Sequence, residues 1–281
     1  MTNESFWEQT ITEARNEDLA ASCETVKDYE IYSTFNLSYQ SLGGVRVNAK
    51  LSVPTVPEGT ILPAIVTAPG YGGWQQGISL AECQRGYIVL QVFPRGQGES
   101  EDTPSGDTDV EYLLRGIDSP ENYFYRGAFM DLLRGVDYLC TRDDVDTSRL
   151  CMMGTSQGGG LVLSSAALEP RIRAVVAHVP FFCDMANNTA EYTKKLSAPE
   201  ALRTFSYFDP VSLASKLHAP TLISSGGCDA ACPPETIRAV FDRLPGKKAY
   251  YHDPDLIHTA SREFYQMSWE WIDRHLGQVA K

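Results

Sequence analysis

The sequence predicts an open, doubly wound α/β fold, in which helices cover both faces of a mostly parallel sheet. Short, nearly continuous apolar runs recur along the chain, and such runs are typical of parallel strands buried on both faces. Helical patterns fall between them, and alternating strands and helices imply right-handed βαβ crossovers. A further run, residues 45–53, alternates apolar and polar residues without a break, which predicts an antiparallel strand.

In chain order, the first predicted element is a helix over residues 6–21, packed on the outside, and the antiparallel strand follows it. Apolar runs then predict buried strands at residues 64–68, 87–92, 150–153, 174–177 and 221–224. An apolar stripe predicts a helix over residues 129–140, and further patterns predict a helix after Ser156 and a last helix from Phe264 to about Gly277. A strand is predicted at residues 248–251.

The length predicts one domain, residues 1–281, because a chain of this size lies near the upper limit of a single hydrophobic core. The segment from about residue 181 to 207 fits no strand of the predicted sheet. We therefore predict a small insertion or cap there.

The charge balance argues against several classes of partner. With 24 basic and 36 acidic residues the net charge is −12, which repels nucleic-acid phosphates and anionic lipid. No apolar run approaches the roughly 18 residues of a spanning helix. Residues 1–5 lack the basic and apolar segments of a secretory signal, so we expect a cytoplasmic protein with no nucleic-acid or membrane partner.

The seven cysteines are odd in number and irregularly spaced, which favours buried reduced thiols over disulfides. The spacing of Cys228 and Cys232 is the only one that suggests a metal. No second cluster of cysteine or histidine lies beside it in the sequence, so no metal site is predicted.

A candidate nucleophile follows the predicted strand at residues 150–153. Residues 154–158 read G-x-S-x-G, the pattern of a nucleophile elbow, in which a strained turn between strand and helix projects the serine hydroxyl above the sheet. The preceding strand and the following helix fit that context. Ser156 is therefore the predicted nucleophile, and a glycine-rich turn with a passive serine is the alternative.

A serine hydroxyl needs a base, and the chain order nucleophile–acid–histidine excludes only His178 of the five histidines. His218 precedes a strand and so lies at the wrong end of the sheet, and His275 lies inside the last helix. His258 is preferred because its loop before that helix is long enough to reach over the sheet. His252 remains the alternative, although it follows its strand very closely.

The orienting acid should follow the strand at residues 221–224, where Asp229 stands, and Asp209 in an Asp-Pro turn is the alternative. Two N–H donors should stabilise the oxyanion. We assign them to Gln157, directly after the nucleophile, and to Tyr71 in the glycine-containing loop at residues 69–74. The alternative for that loop is a plain glycine turn.

Five further patterns stand out along the chain, at residues 93–100, 123–131, 154–159, 205–209 and 227–234. The most specific part combines the Arg-Gly-Gln element at residues 95–97 with Gly-x-Ser-Gln-Gly at residues 154–158. Together these segments resemble carbohydrate esterase family 7, which contains acetyl xylan esterases and cephalosporin-C deacetylases of the α/β-hydrolase fold. The resemblance covers nearly the whole chain.

The resemblance implies a serine esterase that removes small acyl groups, mainly acetyl, from sugars and related alcohols, with no metal or organic cofactor. It supports the five assignments made above, and it adds Arg95 and Gln97 as residues that hold the active-site loops. The expected partner is a small acylated substrate.

Three departures from the family pattern limit what the resemblance implies. Thr259 stands where the family usually has a glutamate, directly after the catalytic histidine. The N-terminal segment and the stretch between Phe181 and Phe205 are both shorter than usual. Self-association is therefore left open, and neither the family's ring-like hexamer nor its substrate range is carried over.

Two other functions are consistent with parts of this pattern. A peptidase or amidase would use the same groups on an amide bond, although the Arg95–Gln97 element favours esters. A non-catalytic binding module would need none of the nucleophile, acid and base, and the presence of all three argues against it.

Overall fold

The computed structural model describes residues 2–71, 80–100, 112–190, 193, 198–259 and 261–277. The strands of this part of the chain are β1 (Ser22–Asp28), β2 (Tyr32–Ser41), β3 (Val45–Pro54), β4 (Leu62–Ala68), β5 (Ile88–Phe93), β6 (Val145–Thr155), β7 (Ile172–His178), β8 (Thr221–Gly226) and β9 (Lys248–Asp253). The helices are α1 (Asn3–Asn16), α2 (Leu80–Gln84), α3 (Phe124–Leu139), α4 (Gln157–Leu168), α5 (Pro199–Phe205), α6 (Pro210–Leu213), α7 (Pro234–Arg243) and α8 (Arg262–Leu276).

All of these strands belong to one sheet, in the order β1-β2-β3-β5-β4-β6-β7-β8-β9. From β5 to β9 every neighbouring pair is parallel, whereas β1, β2, β3 and β5 pair antiparallel. The strand predicted at residues 45–53 is β3, and it is antiparallel to both of its neighbours as expected. The five predicted buried strands correspond to β4 through β8.

The two faces of the sheet bury different side chains, because neighbouring residues of a strand point to opposite sides. Val66, for example, joins a core cluster that also contains apolar residues of α1, α3, α4 and α7. The adjacent Ile65 joins a second cluster with Phe264, Trp269 and Ile272 of α8. Helices thus cover both faces, and the predicted doubly wound α/β-hydrolase architecture is confirmed.

The N-terminal region differs from the sequence prediction. The helix predicted over residues 6–21 ends at Asn16, where Glu17 adopts an extended conformation. Residues 22–28, for which the sequence predicts no element, form the edge strand β1, whose residues are all exposed. A strand that buries no side chain lacks an apolar pattern, so backbone pairing with β2 defines it.

Residues 179–220 connect β7 to β8 and include the segment predicted as an insertion or cap. Part of this connection packs into the core, where Phe208 contacts Trp7 of α1 and Tyr123 at the start of α3, with ring centroids 5.2 and 4.8 Å apart. Residues 191–192 and 194–197 of the predicted insertion lie outside the described residues. The single-domain boundary at residues 1–281 stays a prediction.

Within the described ranges, no helix combines the length and the apolar character needed to cross a membrane. All seven cysteines lie in these ranges, and each has a free thiol.

Candidate active site

Ser156 occupies a strained turn between β6 and α4. Its φ of 57° and ψ of −121° lie in a region that non-glycine residues rarely adopt. The backbone on both sides holds the turn. The Ser156 N–H donates to the His178 carbonyl at 2.9 Å, and the Ser156 carbonyl accepts from the Phe181 N–H at 2.8 Å. This conformation is the one predicted for a nucleophile elbow.

The glycines of the G-x-S-x-G pattern are required by close backbone contacts. A Cβ atom on Gly154 would lie 2.4 Å from the Gly158 carbonyl oxygen, and one on Gly158 would lie 2.1 Å from the carbonyl oxygen of Ala68. No side chain fits at either position. The two glycines therefore let the start of α4 pack directly against the ends of β6 and β4.

The structure brings Ser156, His258 and Asp229 into one hydrogen-bonded line. Nε2 of His258 lies 2.8 Å from Oγ of Ser156, and Nδ1 lies 2.8 Å from Oδ2 of Asp229. With the proton on Nδ1, the imidazole donates to the carboxylate and accepts from the hydroxyl. This arrangement can remove a proton from serine and stabilise the imidazolium that forms.

Asp229 is oriented by its own turn. Its side chain is fully buried, and Oδ1 accepts from the N–H groups of Ala231 at 2.9 Å and Cys232 at 2.8 Å. Two backbone donors therefore fix one carboxylate oxygen and leave Oδ2 for the histidine.

Two further glycines explain how His258 reaches Asp229 across 29 residues of sequence. A Cβ on Gly226 would lie 2.4 Å from the Leu256 carbonyl oxygen, and one on Gly227 would lie 2.3 Å from that of Pro254. The loop after β9 therefore lies directly on the turn after β8. The Gly227 N–H donates to the Asp253 carbonyl at 2.8 Å and so ties the two together.

The two alternatives from the sequence have other contacts. His252 lies within β9, and its Nδ1 is 2.8 Å from the Ser225 hydroxyl. Asp209 is buried and caps α6 by accepting from the Val211 N–H, and it also accepts from the N–H groups of Asp184 and Met185. Within the part of the chain that the structure describes, neither side chain forms a hydrogen bond to Ser156 or His258.

Gln157, the residue after the nucleophile, has a buried side chain that connects two active-site loops. Its Nε2 donates to Oε1 of Gln97 at 2.7 Å and to the Gly70 carbonyl at 3.4 Å, while its Oε1 accepts from the Tyr125 hydroxyl at 2.7 Å. Gln97 donates back to the same Oε1 at 3.3 Å. Gln97 therefore lies where it can hold the loop that contains Gly70 and Tyr71.

Arg95 binds a buried carboxylate on α3. Nε and Nη2 of its guanidinium lie 2.7–3.2 Å from the two carboxylate oxygens of Asp131, whose side chain is fully buried. The backbone N–H of Arg95 also donates to Asp131 Oδ2, at 2.8 Å. A Cβ on Gly127 would lie 2.2 Å from the guanidinium, so this glycine allows Arg95 to lie against α3. The pair fixes the Arg-Gly-Gln loop after β5.

Tyr71 lies directly after Gly70, with 47% of its surface exposed. Its ring centroid is 5.7 Å from that of Tyr112 and 6.3 Å from that of Phe181, the residue whose N–H donates to the Ser156 carbonyl. A group of three aromatic side chains thus lies beside the Ser156 turn. Residues 72–74 of the predicted oxyanion loop lie outside the described residues.

Thr259, at the family's glutamate position, has an exposed side chain, and its N–H donates to the Ile257 carbonyl at 2.7 Å. The line from Ser156 to Asp229 is complete without a glutamate at this position.

Sequence reasoning missed two neighbours of this site. Asp131 could have been noticed as a charged residue inside the apolar helix pattern at residues 129–140. Cys232 was considered only with Cys228, yet it lies beside Asp229 and His258. Burial raises the pKa of the Cys232 thiol far above its ordinary value, so the thiol of the metal-free protein is neutral.

Comparison with known proteins gives a family match over most of the chain. The model of the acetyl xylan esterase (AXE1) family matches residues 3–275. A curated acetyl esterase of Xylanibacter ruminicola is 28% identical over 289 aligned residues, which cover 95% of this chain. This chain spans 65% of the length of that esterase.

Two solved structures are similar over almost the full length of both chains. Acetyl xylan esterase 1 from a Thermoanaerobacterium species has a TM-score of 0.88 and 27% identity, covering 96% of this chain and 92% of its own. An acetyl xylan esterase from a Paenibacillus species has a TM-score of 0.87 and 26% identity, covering 97% and 94%.

Proposed function

The chain belongs to the acetyl xylan esterase family, and from this premise we propose that it hydrolyses acetyl and other short-chain acyl esters of sugars or related small alcohols. It is a carboxylic ester hydrolase that acts through an acyl-enzyme on a serine. The observation that carries this proposal is the line of two 2.8 Å contacts from Ser156 through His258 to Asp229.

Acylation begins when the Ser156 hydroxyl attacks the ester carbonyl and His258 Nε2 accepts its proton. Asp229 stabilises the imidazolium through Nδ1–H. The imidazolium then protonates the leaving alkoxide, and the acyl group remains on Ser156. General acid–base transfer of this kind contributes about 10²–10⁴-fold to the rate.

The oxyanion of each tetrahedral intermediate accepts from the backbone N–H groups of Gln157 and Tyr71. Gln157 is the first residue of α4, and the first N–H groups of a helix have no partner within the helix. Each such donor is worth about 10²–10³-fold in kcat. Water, activated by His258, releases the acid and regenerates the serine.

No metal or organic cofactor takes part in this scheme, and its partner is the small acylated substrate. The net charge of −12 supports the absence of a nucleic-acid partner, and seven free thiols support a cytoplasmic location. Self-association, which the sequence leaves open, can be measured by size-exclusion chromatography with light scattering.

The amide-hydrolysing alternative uses the same groups on a different bond, and the family favours esters. Matched acetyl ester and acetyl anilide substrates separate the two, because an esterase cleaves the ester much faster. The non-catalytic alternative would leave Ser156 unreactive toward a fluorophosphonate probe.

Replacing the nucleophile tests the proposal directly. Ser156→Ala should lower p-nitrophenyl acetate turnover by at least about 10⁴-fold and abolish fluorophosphonate labelling, because the attacking oxygen is lost. The exposed Ser215 provides a matched control, and Ser215→Ala should keep both activities. Undiminished turnover by a folded Ser156→Ala enzyme would contradict the assignment.

A further inference from the structure

Cys232 lies beside the histidine and acid of the proposed active site. One ligand atom from each of Asp229, Cys232 and His258 lies within 4.8 Å of the other two. Asp229 and Cys232 belong to the same turn, where the Cys232 N–H donates to Asp229 Oδ1, while Asp229 Oδ2 contacts His258. Two of the three side chains are buried, so their positions are fixed by packing.

A thiolate, an imidazole nitrogen and a carboxylate oxygen are the three ligand types that Zn²⁺ binds in proteins. With bonds of about 2.0–2.3 Å, a tetrahedral ion holds its ligands roughly 3.5 Å apart, so only small movements would close this group around an ion. The fourth position remains for water. The chain's net charge of −12 also favours the approach of a cation.

We propose that Asp229, Cys232 and His258 bind Zn²⁺ or a similar thiophilic divalent cation, and that the bound ion inhibits the esterase reversibly. Binding breaks the S–H bond of Cys232 and releases its proton to solvent, with no change in oxidation state. An ion on Nδ1 of His258 leaves the remaining proton on Nε2, which then cannot accept the Ser156 proton. An ion on Nε2 occupies the base itself.

The burial of the ligands sets the route of entry. His258 has 33% of its side chain exposed, whereas the Asp229 side chain has none. The ion therefore enters past His258. Inhibition should develop over time after mixing and should reverse when a chelator is added.

The activity test rests on the proposed function, because it measures loss of turnover. The enzyme is titrated with ZnCl₂ in a non-coordinating buffer, and each variant is normalised to its own metal-free rate. Cys232→Ala and Cys232→Ser should raise the half-inhibitory concentration at least about 10-fold, since even outer residues of metal sites are worth 10–100-fold in affinity. Cys228→Ala, which removes an exposed thiol four residues away, should keep the wild-type value.

A second measurement does not depend on activity. Co²⁺ added to the wild-type chain should produce a thiolate-to-cobalt charge-transfer band that Cys232→Ser lacks and Cys228→Ala keeps. A band without esterase turnover would support the metal site and refute the proposed function. Turnover that Zn²⁺ inhibits equally in all variants, or a wild-type chain with no band, would overturn the metal site.

Discussion

Two histidines approach the Ser156 turn from different regions of the fold, and they use different atoms. His258, on the loop after β9, contacts the serine hydroxyl with its side chain, and one third of that side chain is exposed. His178, at the end of β7, contacts the serine N–H with its backbone carbonyl. Its ring is buried edge-on against Phe264, with centroids 4.3 Å apart, and neither ring nitrogen has a hydrogen-bond partner among the described residues.

The difference separates a ring that can exchange a proton from a backbone carbonyl that holds the Ser156 turn. His258 has a carboxylate on one nitrogen and solvent access, so its charged form can be stabilised when it accepts a proton. His178 has neither, and burial lowers the pKa of its imidazole to about 4. Closeness to a serine therefore does not identify a base, whereas an imidazole that contacts both a carboxylate and the serine hydroxyl does.

The comparison predicts that the largest loss of activity follows from changing Asp229, the carboxylate partner of His258. In Asp229→Asn, the side-chain oxygen can still accept from the N–H groups of Ala231 and Cys232, so the amide NH₂ faces Nδ1 of His258. Nδ1 must then accept, the proton moves to Nε2, and Nε2 cannot take the Ser156 proton. We expect kcat to fall about 10⁴-fold, the effect of the equivalent change in a serine protease.

Steady-state kinetics on p-nitrophenyl acetate measures this effect, with circular dichroism as the check on folding. Asp209→Asn is the matched control, because Asp209 is equally buried but caps α6 instead. A folded control should keep its kcat within a few-fold. Equal losses in the two variants would mean that Asp229 acts only through stability.

A smaller effect is expected on the free energy of unfolding in acid, and it arises from protonation of the His178 imidazole. The unfolded chain binds a proton at this imidazole near pH 6.5, whereas the folded chain binds it only near pH 4. The free energy of unfolding should therefore fall as the pH drops from about 6.5 to about 4, by about 3 kcal/mol from this group at the lower limit. His178→Leu, which cannot be protonated, should lose less stability over that range.

Urea unfolding of wild type and variant at neutral pH and near pH 4.5 gives this difference, in which the shared groups cancel. Asp209 is such a group and acts with the opposite sign, because burial raises its pKa to about 7 and its contribution grows as the pH falls. The exposed His218 provides the control, and His218→Gln should follow wild type. If wild type and His178→Leu lose the same free energy of unfolding between the two pH values, protonation of His178 does not destabilise the protein in acid.

The sequence alone can predict a candidate site residue where one residue type at one position in a motif carries the chemistry. The G-x-S-x-G pattern predicts Ser156, and the length of the loop before the last helix separates His258 from His252. The buried strands are predicted because continuous apolar runs report burial on both faces. The turn at Gly227 and the loop at Pro254 could not be predicted to touch, since their contact depends on a backbone approach that only a three-dimensional structure contains.

Other features leave little or no signal in one sequence. The edge strand β1 buries none of its side chains, so its pattern resembles a polar loop. The pairing of Gln97 with Gln157 joins two neutral amides that are 60 residues apart. Neither a charge nor a periodicity marks such a pair, and only its resemblance to family patterns suggests a role for Gln97.

The smallest predicted effect compares the neutral Gln97–Gln157 pair with the line of hydrogen bonds from Ser156 to Asp229. Gln97→Leu removes the acceptor of the Gln157 Nε2 donor and leaves only the Gly70 carbonyl at 3.4 Å, so the loop that contains Gly70 and Tyr71 should lose its alignment. We expect kcat for p-nitrophenyl acetate to fall about 10-fold. A misplacement of about 1 Å can cost roughly 10²-fold in rate, and the oxyanion donor should shift by less than that.

The pH profile distinguishes this positioning role from a role in proton transfer. The line from Ser156 to Asp229 is intact in Gln97→Leu, so kcat should fall equally at every pH and keep the wild-type apparent pKa. Gln97→Glu retains an acceptor for Gln157 Nε2 and should recover part of the lost rate. A shifted pKa in Gln97→Leu would instead couple the neutral pair to His258, and the two sides of the nucleophile would then act as one network.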